Sequence, residues 1–261
     1  MATTYLERTQ GTPTDAEKFT LAMWIKLGTG FGADQLKLYA SYGDSNNRGY
    51  MALDANDNLF FFDYSGGVSR INWHSTRVFR DPAAWYHIVV KGDSSQAVEA
   101  DRFKIFINGI EETAWTKTAT IGQSVDFGVC LASQADGLTI GTNESGSEVW
   151  DGLMAHVHYC DGYAYNASSF GEFDATSGIW VAKTGPSVTY GDNGYFLKFA
   201  SGALGTDSSG EGNTFVVQGT MTNTKDTPDN NFATMNPLDN YYPNQTFTNG
   251  NLTIKSDYKA C

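Results

Sequence analysis

The sequence lacks long runs of basic residues and long runs of apolar residues. Its 261 residues include 17 Lys and Arg against 29 Asp and Glu, which gives a formal net charge of −12 at pH 7. Because nucleic-acid phosphates favour clustered Lys and Arg, this composition argues against a nucleic-acid partner. No apolar stretch approaches the roughly 18–20 residues of a membrane-spanning helix, and the opening MATTYLERTQ lacks the pattern of a signal peptide. We expect a soluble protein without membrane insertion or an export leader.

Cysteine and charge are also scarce. Cys130, Cys160 and Cys261 are an odd number and lack the close spacing of a zinc site. We interpret the first two as small buried apolar residues, and a Cys130–Cys160 disulfide is the less favoured alternative. Charged residues make up 18% of the chain, so its polar part consists largely of Thr, Ser, Asn and 28 Gly. Such a composition favours strands and turns over helices.

Short segments of alternating apolar and polar residues recur along the chain between turn residues, which is typical of an antiparallel β-sandwich. Strands are predicted over 19–27, 49–67 (two strands joined at 54–58), 70–79, 85–93, 102–112, 138–145, 150–160, 195–200 and 214–219. Asn108-Gly109 predicts a two-residue hairpin turn, because both central residues of a type I′ turn need positive φ. One short helix is predicted over 165–173.

The composition changes near residue 222. Residues 223–261 are rich in Asn and contain Pro228, Pro237 and Pro243, and proline cannot donate to a sheet ladder. We therefore predict a sandwich over 1–222 and an extended arm over 223–261, with a strand at 252–258. The apolar residues of the arm follow neither a helical nor a strand period. This pattern is consistent with an extended segment that packs either on its own sandwich or on a partner protein, and the sequence leaves both alternatives open.

Three segments carry a resemblance to a known group of sandwiches. WYHIVVKGD (85–93), KIFINGIEE (104–112) and WDGLMAHVHYCDGYAY (150–165) are similar to the succession of strands in laminin-G and concanavalin A-like lectin and glucanase domains. The resemblance implies an all-β fold, namely an antiparallel jelly-roll β-sandwich of the concanavalin A-like type.

The chain also resembles bacteriophage virion proteins. The segments that carry this likeness are YLERT (5–9), FRDPAAWYHIVV (79–90) and DTPDNNFATMNPLD (226–239). In that group a further sandwich often follows, so we expect a short member or a fragment of a longer protein. The resemblance implies a position on the virion exterior, in contact with other virion proteins and further copies of the same chain.

Patterns that support catalysis are incomplete. Sandwich glycosidases use two carboxylates on either side of the scissile bond. Glu172 and Asp174 come nearest, but the third carboxylate of a Glu-x-Asp-x-x-Glu run is missing. The sequence also lacks a Gly-x-Ser-x-Gly elbow and a phosphate-binding Gly-rich loop with Lys. We predict that the protein is not an enzyme and has no catalytic residues.

Aromatic residues make up 14% of the chain, and several lie beside predicted turns. Sugar binding requires aromatic surfaces with convergent polar groups, so these residues are candidates for ligand contact. Trp73, His74 and Trp115 are the ligand-binding residues that we predict first. The alternative for any such aromatic is a place in the core.

Calcium is the one cofactor that the sequence suggests, and none is required. Asp207, Ser209, Glu211 and Asn213 alternate along a Gly-containing turn and offer the oxygen ligands that calcium prefers. The favoured alternative is a tight turn held by hydrogen bonds from side chains to the backbone.

The resemblance to virion proteins implies a structural or adhesion protein of a bacteriophage that decorates the capsid or tail, and the incomplete catalytic patterns predict that it is non-enzymatic. Host-surface polysaccharide is the ligand that it would contact. A free carbohydrate-binding module and a glycan depolymerase on the same sandwich are the alternatives, because one fold hosts all three uses.

Overall fold

The structure is a computed structural model that describes residues 4–28, 35–131, 137–231, 235, 245–248 and 253–255. The strands of these residues are β1 (Tyr5–Arg8), β2 (Lys18–Leu27), β3 (Leu36–Asp44), β4 (Asn47–Leu53), β5 (Asn58–Ser65), β6 (Val68–Val78), β7 (Trp85–Asp93), β8 (Phe103–Ile107), β9 (Ile110–Glu111), β10 (Trp115–Lys117), β11 (Leu138–Ile140), β12 (Gly152–Asp161), β13 (Gly171–Phe173), β14 (Trp180–Ala182), β15 (Tyr195–Leu197), β16 (Val216–Gln218), β17 (Thr246–Thr248) and β18 (Thr253–Lys255). Single turns of 3-10 helix occur at Glu99–Asp101, Gly128–Cys130 and Ala167–Ser169. Within these ranges, no helix has the length and apolarity needed to cross a membrane.

Two antiparallel sheets enclose the core. The larger has eight strands in the order β10-β6-β5-β4-β3-β11-β1-β16, and the smaller has six in the order β15-β12-β2-β7-β8-β9. Strands β13 and β14 form a separate pair, as do β17 and β18. The predicted all-β antiparallel sandwich is therefore confirmed.

Alternation of side chains along each strand builds the core. On β5, Leu59 and Phe61 are fully buried between the sheets, whereas Phe62 and Tyr64 alternate with them and remain half-buried. Phe61 packs against Phe103 of the opposite sheet, with ring centroids 4.9 Å apart. Since a buried aromatic side chain contributes several kcal/mol, such cross-sheet contacts hold the sandwich together.

The outer face of the six-stranded sheet is covered by residues 163–190. Trp180 Nε1 donates a hydrogen bond of 2.9 Å to His87 Nδ1, and the His87 ring stacks on Trp24 at 4.6 Å. Burial lowers the pKa of His87 to about 3, so this imidazole is neutral under the covering segment. β2 is therefore buried on both faces for nearly its whole length.

Most predicted strands have the predicted limits to within a few residues, and β7 matches them at both ends. Asn108 and Gly109 have φ of 49° and 80°, as the predicted hairpin turn requires. The helix predicted over 165–173 is confirmed only as one 3-10 turn, Ala167–Ser169. Its predicted second half, Gly171–Phe173, is β13 instead, because Glu172 pairs with Val181 of β14 and the sheet ladder satisfies that backbone.

The cysteine interpretation is confirmed for two of the three residues. Cys130 and Cys160 are free thiols and both are buried, so the alternative of a disulfide between them is wrong. Cys130 Sγ accepts a hydrogen bond from Tyr159 in the core. Cys261 lies outside the described residues.

The start of the predicted arm packs against its own sandwich. Asp226 and Lys26 are each 1% exposed, and Asp226 Oδ2 lies 2.8 Å from Lys26 Nζ. Asp226 Oδ1 accepts a hydrogen bond of 2.9 Å from Trp85 Nε1, and Asn231 Oδ1 accepts one of 2.7 Å from Lys26 Nζ. Of the two alternatives for the arm, own-sandwich contact holds for 223–231.

The end of the predicted arm is described only in part. Thr253–Lys255 forms a strand inside the predicted range 252–258, and it pairs with Thr246–Thr248 rather than with an edge of the main sheets. Residues 232–234, 236–244, 249–252 and 256–261 lie outside the described residues. The boundary at 222 and a partner for the remaining arm stay predictions.

We expect Asp226→Ala to destabilise the protein by about 3–5 kcal/mol, because it leaves the Lys26 ammonium buried without this carboxylate. Urea unfolding at pH 7 measures the free energy. Asp229→Ala is the matched control, since Asp229 is an exposed carboxylate three residues further along the same segment and should change stability by less than about 0.5 kcal/mol. Equal effects of the two substitutions would contradict the anchoring role of Asp226.

A buried carboxylate holds the Gly128–Cys130 turn against β5. Asp63 is fully buried, and its two oxygens accept backbone hydrogen bonds of 3.0 Å from Gly128 and 2.8 Å from Val129. A side chain at Gly128 would place its Cβ 2.1 Å from the Tyr64 carbonyl oxygen, so only glycine fits this approach. Burial raises the pKa of Asp63 to about 7, although both backbone hydrogen bonds oppose the shift.

Asp63 therefore makes stability depend on pH. The folded state keeps a proton that the unfolded chain releases above about pH 4, so the contribution is greatest at low pH and is lost as pH rises through 7. We expect the free energy of unfolding to gain on the order of 2 kcal/mol from this group between pH 8 and pH 5. Asp63→Asn should remove that slope in urea unfolding, whereas Asp126→Asn, at an exposed carboxylate, should keep it. An unchanged slope in Asp63→Asn would show that Asp63 does not titrate in this range.

Candidate ligand-binding surfaces

The outer face of the eight-stranded sheet carries a row of aromatic side chains. Strand alternation directs them away from the core, and most of them remain half-buried rather than covered. We call this surface the aromatic face; its residues are Tyr42, Tyr50, Phe60, Phe62, Tyr64 and His74. A half-exposed group of rings on a sheet face is typical of an interaction surface.

Cross-strand register arranges the rings in contact with one another. Tyr50 of β4 lies directly opposite Phe62 of β5, and their ring centroids are 5.0 Å apart. The Phe62 and Tyr64 rings are nearly parallel at 6.2 Å. Because the rings stack side by side, the surface presents ring edges and tyrosine hydroxyls, which can hydrogen-bond as well as make apolar contact.

Two cations lie over these rings. Lys37 Nζ lies 3.3 Å from the centre of the Tyr50 ring, and the Arg48 guanidinium lies 4.9 Å from the centre of Tyr64. Burial, followed by the charge of Glu148, raises the pKa of Tyr50 to about 12, so its hydroxyl stays protonated and available as a donor. The aromatic face thus combines apolar edges with hydroxyl and guanidinium donors.

His74 is the predicted site residue that the structure places on this face. Its ring stacks on Phe60 at 4.0 Å, and its Nδ1 lies 2.8 Å from Asp54 Oδ2. The His74 side chain keeps 36% of its surface exposed. The carboxylate orients the imidazole so that its second nitrogen is turned away from Asp54.

Trp73 and Trp115 lie elsewhere. Trp73 is 7% exposed and packs in the core against Phe103, edge to face at 5.0 Å. Trp115 is half-buried beside it, and its Nε1 donates to the Glu112 carbonyl at 2.6 Å. Neighbouring residues on a strand face opposite ways, so the structure separates Trp73 from His74 and does not assemble the three predicted residues into one site.

Phe62 and Tyr64 are surface residues that the sequence pattern does not reveal. In β5 both sets of alternate residues are largely apolar, and such a strand looks like one that is buried on both faces. Tyr42 and Tyr50 lie beside predicted turns, but no pattern in the sequence links them to His74. The register of the sheet is what brings these residues together, because Phe60 pairs with His74 and Phe62 pairs with Tyr50.

The proposed calcium ligands form a hydrogen-bonded turn instead. Asp207 Oδ1 accepts from the backbone N–H groups of Phe196 at 2.9 Å and Ser209 at 2.8 Å. Asp207 Oδ2 accepts from Ser209 Oγ at 2.8 Å and from the Asn213 backbone N–H at 2.9 Å. Burial opposes ionisation, but these hydrogen bonds outweigh it and lower the pKa of Asp207.

The other predicted ligands do not complete a calcium site at this turn. Asn213 Oδ1 accepts a hydrogen bond of 2.5 Å from the cationic Arg8 side chain, and the Glu211 side chain is exposed to solvent. A calcium ion here would have to displace four hydrogen bonds from Asp207 and approach a guanidinium. The residues therefore do not fit calcium, and the alternative of a tight turn explains their spacing.

We expect the melting temperature to be the same in chelator and in millimolar calcium, because a cation that bound only the folded state would raise it by mass action. Differential scanning calorimetry makes the comparison. Asp207→Ala should lower the melting temperature equally in both conditions, since it removes the turn. A calcium-dependent rise in the unsubstituted protein that Asp207→Ala abolishes would establish the metal site.

The carboxylates considered for catalysis lie on an exposed hairpin. Glu172 Oε2 lies 3.7 Å from Lys183 Nζ, and the Glu172 side chain is 62% exposed. Asp174 Oδ1 accepts hydrogen bonds from Ser177 and from the Thr176 backbone, which close the turn between β13 and β14. These interactions account for both residues as a surface ion pair and a turn cap.

The two facing antiparallel sheets define a β-sandwich, one sheet of which carries the aromatic face. Residues 2–168 match the family model Laminin_G_3, described as the concanavalin A-like lectin/glucanases superfamily. The chain belongs to this superfamily. No curated protein sequence matches the chain.

Several solved structures are similar to the chain. A heptameric SAP-like pentraxin from Limulus polyphemus is 15% identical, with a TM-score of 0.45 over 70% of this chain and 87% of that one. A candidate carbohydrate-binding protein from Bacteroides ovatus is 15% identical, with a TM-score of 0.45 over 84% and 58%. Tailspike protein 2 of an Escherichia coli O157:H7 bacteriophage is 16% identical, with a TM-score of 0.39 over 62% and 21%. The chain thus spans 58% and 21% of the latter two proteins.

Proposed function

We propose that the protein is a non-enzymatic adhesion and structural protein on the exterior of a bacteriophage virion, and that its aromatic face contacts host-surface glycans. The capsid or the tail would carry it together with other virion proteins and further copies of the chain. The observation that carries the glycan part is the exposed aromatic face on a sandwich of the lectin and glucanase superfamily.

The chemistry of this face supports sugar contact. Sugars offer apolar C–H surfaces and many hydroxyls, which match ring edges interleaved with hydrogen-bonding groups. Tyr50, Phe62 and Tyr64 supply the rings, while Arg48 and Asn72 supply polar groups on the same face. This surface is an open sheet face with half-exposed rings, which suits an extended polysaccharide better than a small enclosed substrate.

Two further observations support the virion role. YLERT (5–9) and the segment that begins at Asp226 resemble bacteriophage virion proteins. The net charge of −12 favours a soluble particle exterior through mutual repulsion. The absence of turnover is part of the proposal, because Glu172 and Asp174 are accounted for by a surface ion pair and a turn.

We expect the protein to bind purified host-surface polysaccharide and to release no reducing ends from it. Tyr50→Ala and Phe62→Ala should each weaken binding by about tenfold, since one central aromatic contact contributes roughly 1.4 kcal/mol or more. Tyr163→Ala is the matched control, because Tyr163 is an exposed tyrosine outside the aromatic face. Isothermal titration calorimetry gives the affinities, and thermal melting confirms that each variant is folded.

Three outcomes would contradict parts of the proposal. Release of reducing ends that Glu172→Gln abolishes would identify a depolymerase. Equal binding by Tyr50→Ala, Phe62→Ala and Tyr163→Ala would move the glycan site away from the aromatic face. Absence of the protein from intact particles under immuno-electron microscopy, combined with glycan binding, would favour a free carbohydrate-binding module.

A further inference from the structure

Lys26 belongs to a buried group of side chains that the proposed function does not use. It lies on β2, in the interior of the six-stranded sheet, and it is 1% exposed. Its Nζ is 2.8 Å from Asp226 Oδ2 and 2.7 Å from Asn231 Oδ1. Asp226 and Asn231 come from 200 and 205 positions further along the sequence. The fold therefore brings together an amine, a carboxylate and a carboxamide, which are the nucleophile, the proton carrier and the acyl group of an acyl-transfer site.

Hydrogen bonds determine which way the Asn231 amide points. Its Nδ2 donates a hydrogen bond of 3.0 Å to the Ala83 carbonyl oxygen. An ammonium group can only donate, so the atom that faces Lys26 must be the amide oxygen. Both partners therefore require the same orientation. The acyl carbon of Asn231, Cγ, is then one covalent bond away from an oxygen that Lys26 Nζ already contacts.

Asp226 is held in a position from which it can take a proton from Lys26. Its side chain has no exposed surface, and its Oδ1 accepts a hydrogen bond of 2.9 Å from Trp85 Nε1. That contact fixes the carboxylate and leaves Oδ2 directed at Lys26 Nζ. Burial disfavours charged groups, and the transfer of one proton from Nζ to Oδ2 neutralises both of them. The transfer also frees the electron pair that makes an amine a nucleophile.

The two sides of this group differ in their access to solvent. Lys26 and Asp226 are buried, so water is kept from the amine and from the carboxylate. Asn231 is exposed, and its hydrogen bond to Ala83 lies at the surface. A nitrogen released from the Asn231 amide therefore has a direct path to solvent.

We propose that Lys26 and Asn231 become joined by an amide bond between Nζ and Cγ, which the folded chain forms by itself with Asp226 as the proton carrier. In the structure the two side chains are hydrogen-bonded, which is the arrangement before the bond forms. The bond would attach the start of the predicted arm covalently to β2. This inference concerns a modification of the chain and depends on neither glycan binding nor the virion role.

The reaction proceeds by addition and elimination at the amide carbon. Lys26 Nζ passes one proton to Asp226 Oδ2 and attacks Asn231 Cγ, and the carbonyl electron pair moves onto Oδ1. Asp226 gives that proton to Nδ2 and takes a second proton from the attacking nitrogen. Collapse of the intermediate restores the carbonyl and breaks the bond from Cγ to Nδ2. Ammonia leaves and carries the second proton away from Asp226 as ammonium, so no oxidant or reductant takes part.

Proximity is what allows an amine to attack so unreactive a group. In water, amines do not displace ammonia from carboxamides at an appreciable rate. A pair of groups held in reacting geometry behaves as if one were present at about 10⁵ M or more, which removes a large part of that barrier. The exchange replaces one amide by another, so the escape of ammonia is sufficient to make it proceed.

Mass spectrometry of the purified full chain tests the proposal. We expect an intact mass about 17 Da below that calculated from the sequence, because one ammonia is lost. A cyclic imide at another asparagine would give the same change, so the position of the bond is needed as well. Trypsin should release residues 19–37 joined to residues 226–255, and fragmentation of that product should place the link at Lys26 and Asn231.

Two variants should keep the full mass. Asn231→Ala removes the acyl group at an exposed residue, so the fold should tolerate it. Lys26→Arg keeps a cation beside Asp226 but lacks the nucleophilic amine. Asn230→Ala is the matched control, because the neighbouring Asn230 donates to the Lys225 carbonyl instead, and this variant should still lose about 17 Da.

Four results would overturn the proposal. The first is a full mass in the unsubstituted chain, and the second is the expected mass without the joined peptides. The third is a loss of about 18 Da, which would mean that Lys26 had condensed with Asp226 and released water. The fourth is a joined product in Asn231→Ala, which would show that another residue supplies the acyl group.

Discussion

A strand directs alternate side chains to opposite faces, so a sheet that buries one face in a shared core always has a second face to accommodate. The two sheets of this sandwich differ in that respect. Residues 163–190 cover the second face of the six-stranded sheet, where Trp180 and His87 stack and hydrogen-bond. The second face of the eight-stranded sheet instead keeps its aromatic residues half exposed. The position of the candidate glycan surface follows from this difference in coverage.

A polar residue on a sheet face that is covered by other parts of the chain needs a buried partner. Lys26 occupies a position on β2 that becomes buried under the chain, and an unpaired ammonium there would cost several kcal/mol. The carboxylate that pairs with it, Asp226, comes from 200 positions further along the sequence. Asp226 also binds Trp85, so one side chain connects β2, β7 and the start of the predicted arm. The predicted arm is therefore attached to the sandwich by a residue that stabilises this fold.

The features of this structure that could be predicted from the sequence are those that depend on neighbouring residues. The β7 limits and the Asn108-Gly109 turn were predictable, because alternation and positive φ are properties of neighbouring residues. Phe62 and Tyr64 were not predictable as surface residues, because β5 is apolar on both faces and its sequence does not say which face is covered. The Asp207 turn was predictable as the favoured alternative to calcium, because its hydrogen bonds to Ser209 and Asn213 are formed between neighbouring residues. The further hydrogen bond from the Phe196 backbone, eleven residues away, was not predictable from that local pattern.

The aromatic face and the irregular part of β12 differ in what the fold requires of them. The aromatic face arises from regular strands, whose rings pack against each other with ordinary backbone geometry, and a sheet of this kind would have such a face whether or not it bound anything. In β12, Ala155 packs on the outer face of the six-stranded sheet, whereas Val157 and Tyr159 are buried in the core between the sheets. The register shift between Ala155 and His158 makes this change of phase possible, because one extra residue reverses which alternate side chains face inward. The left-handed backbone of His156, with φ of 48°, is therefore a local cost of placing Val157 and Tyr159 in the core.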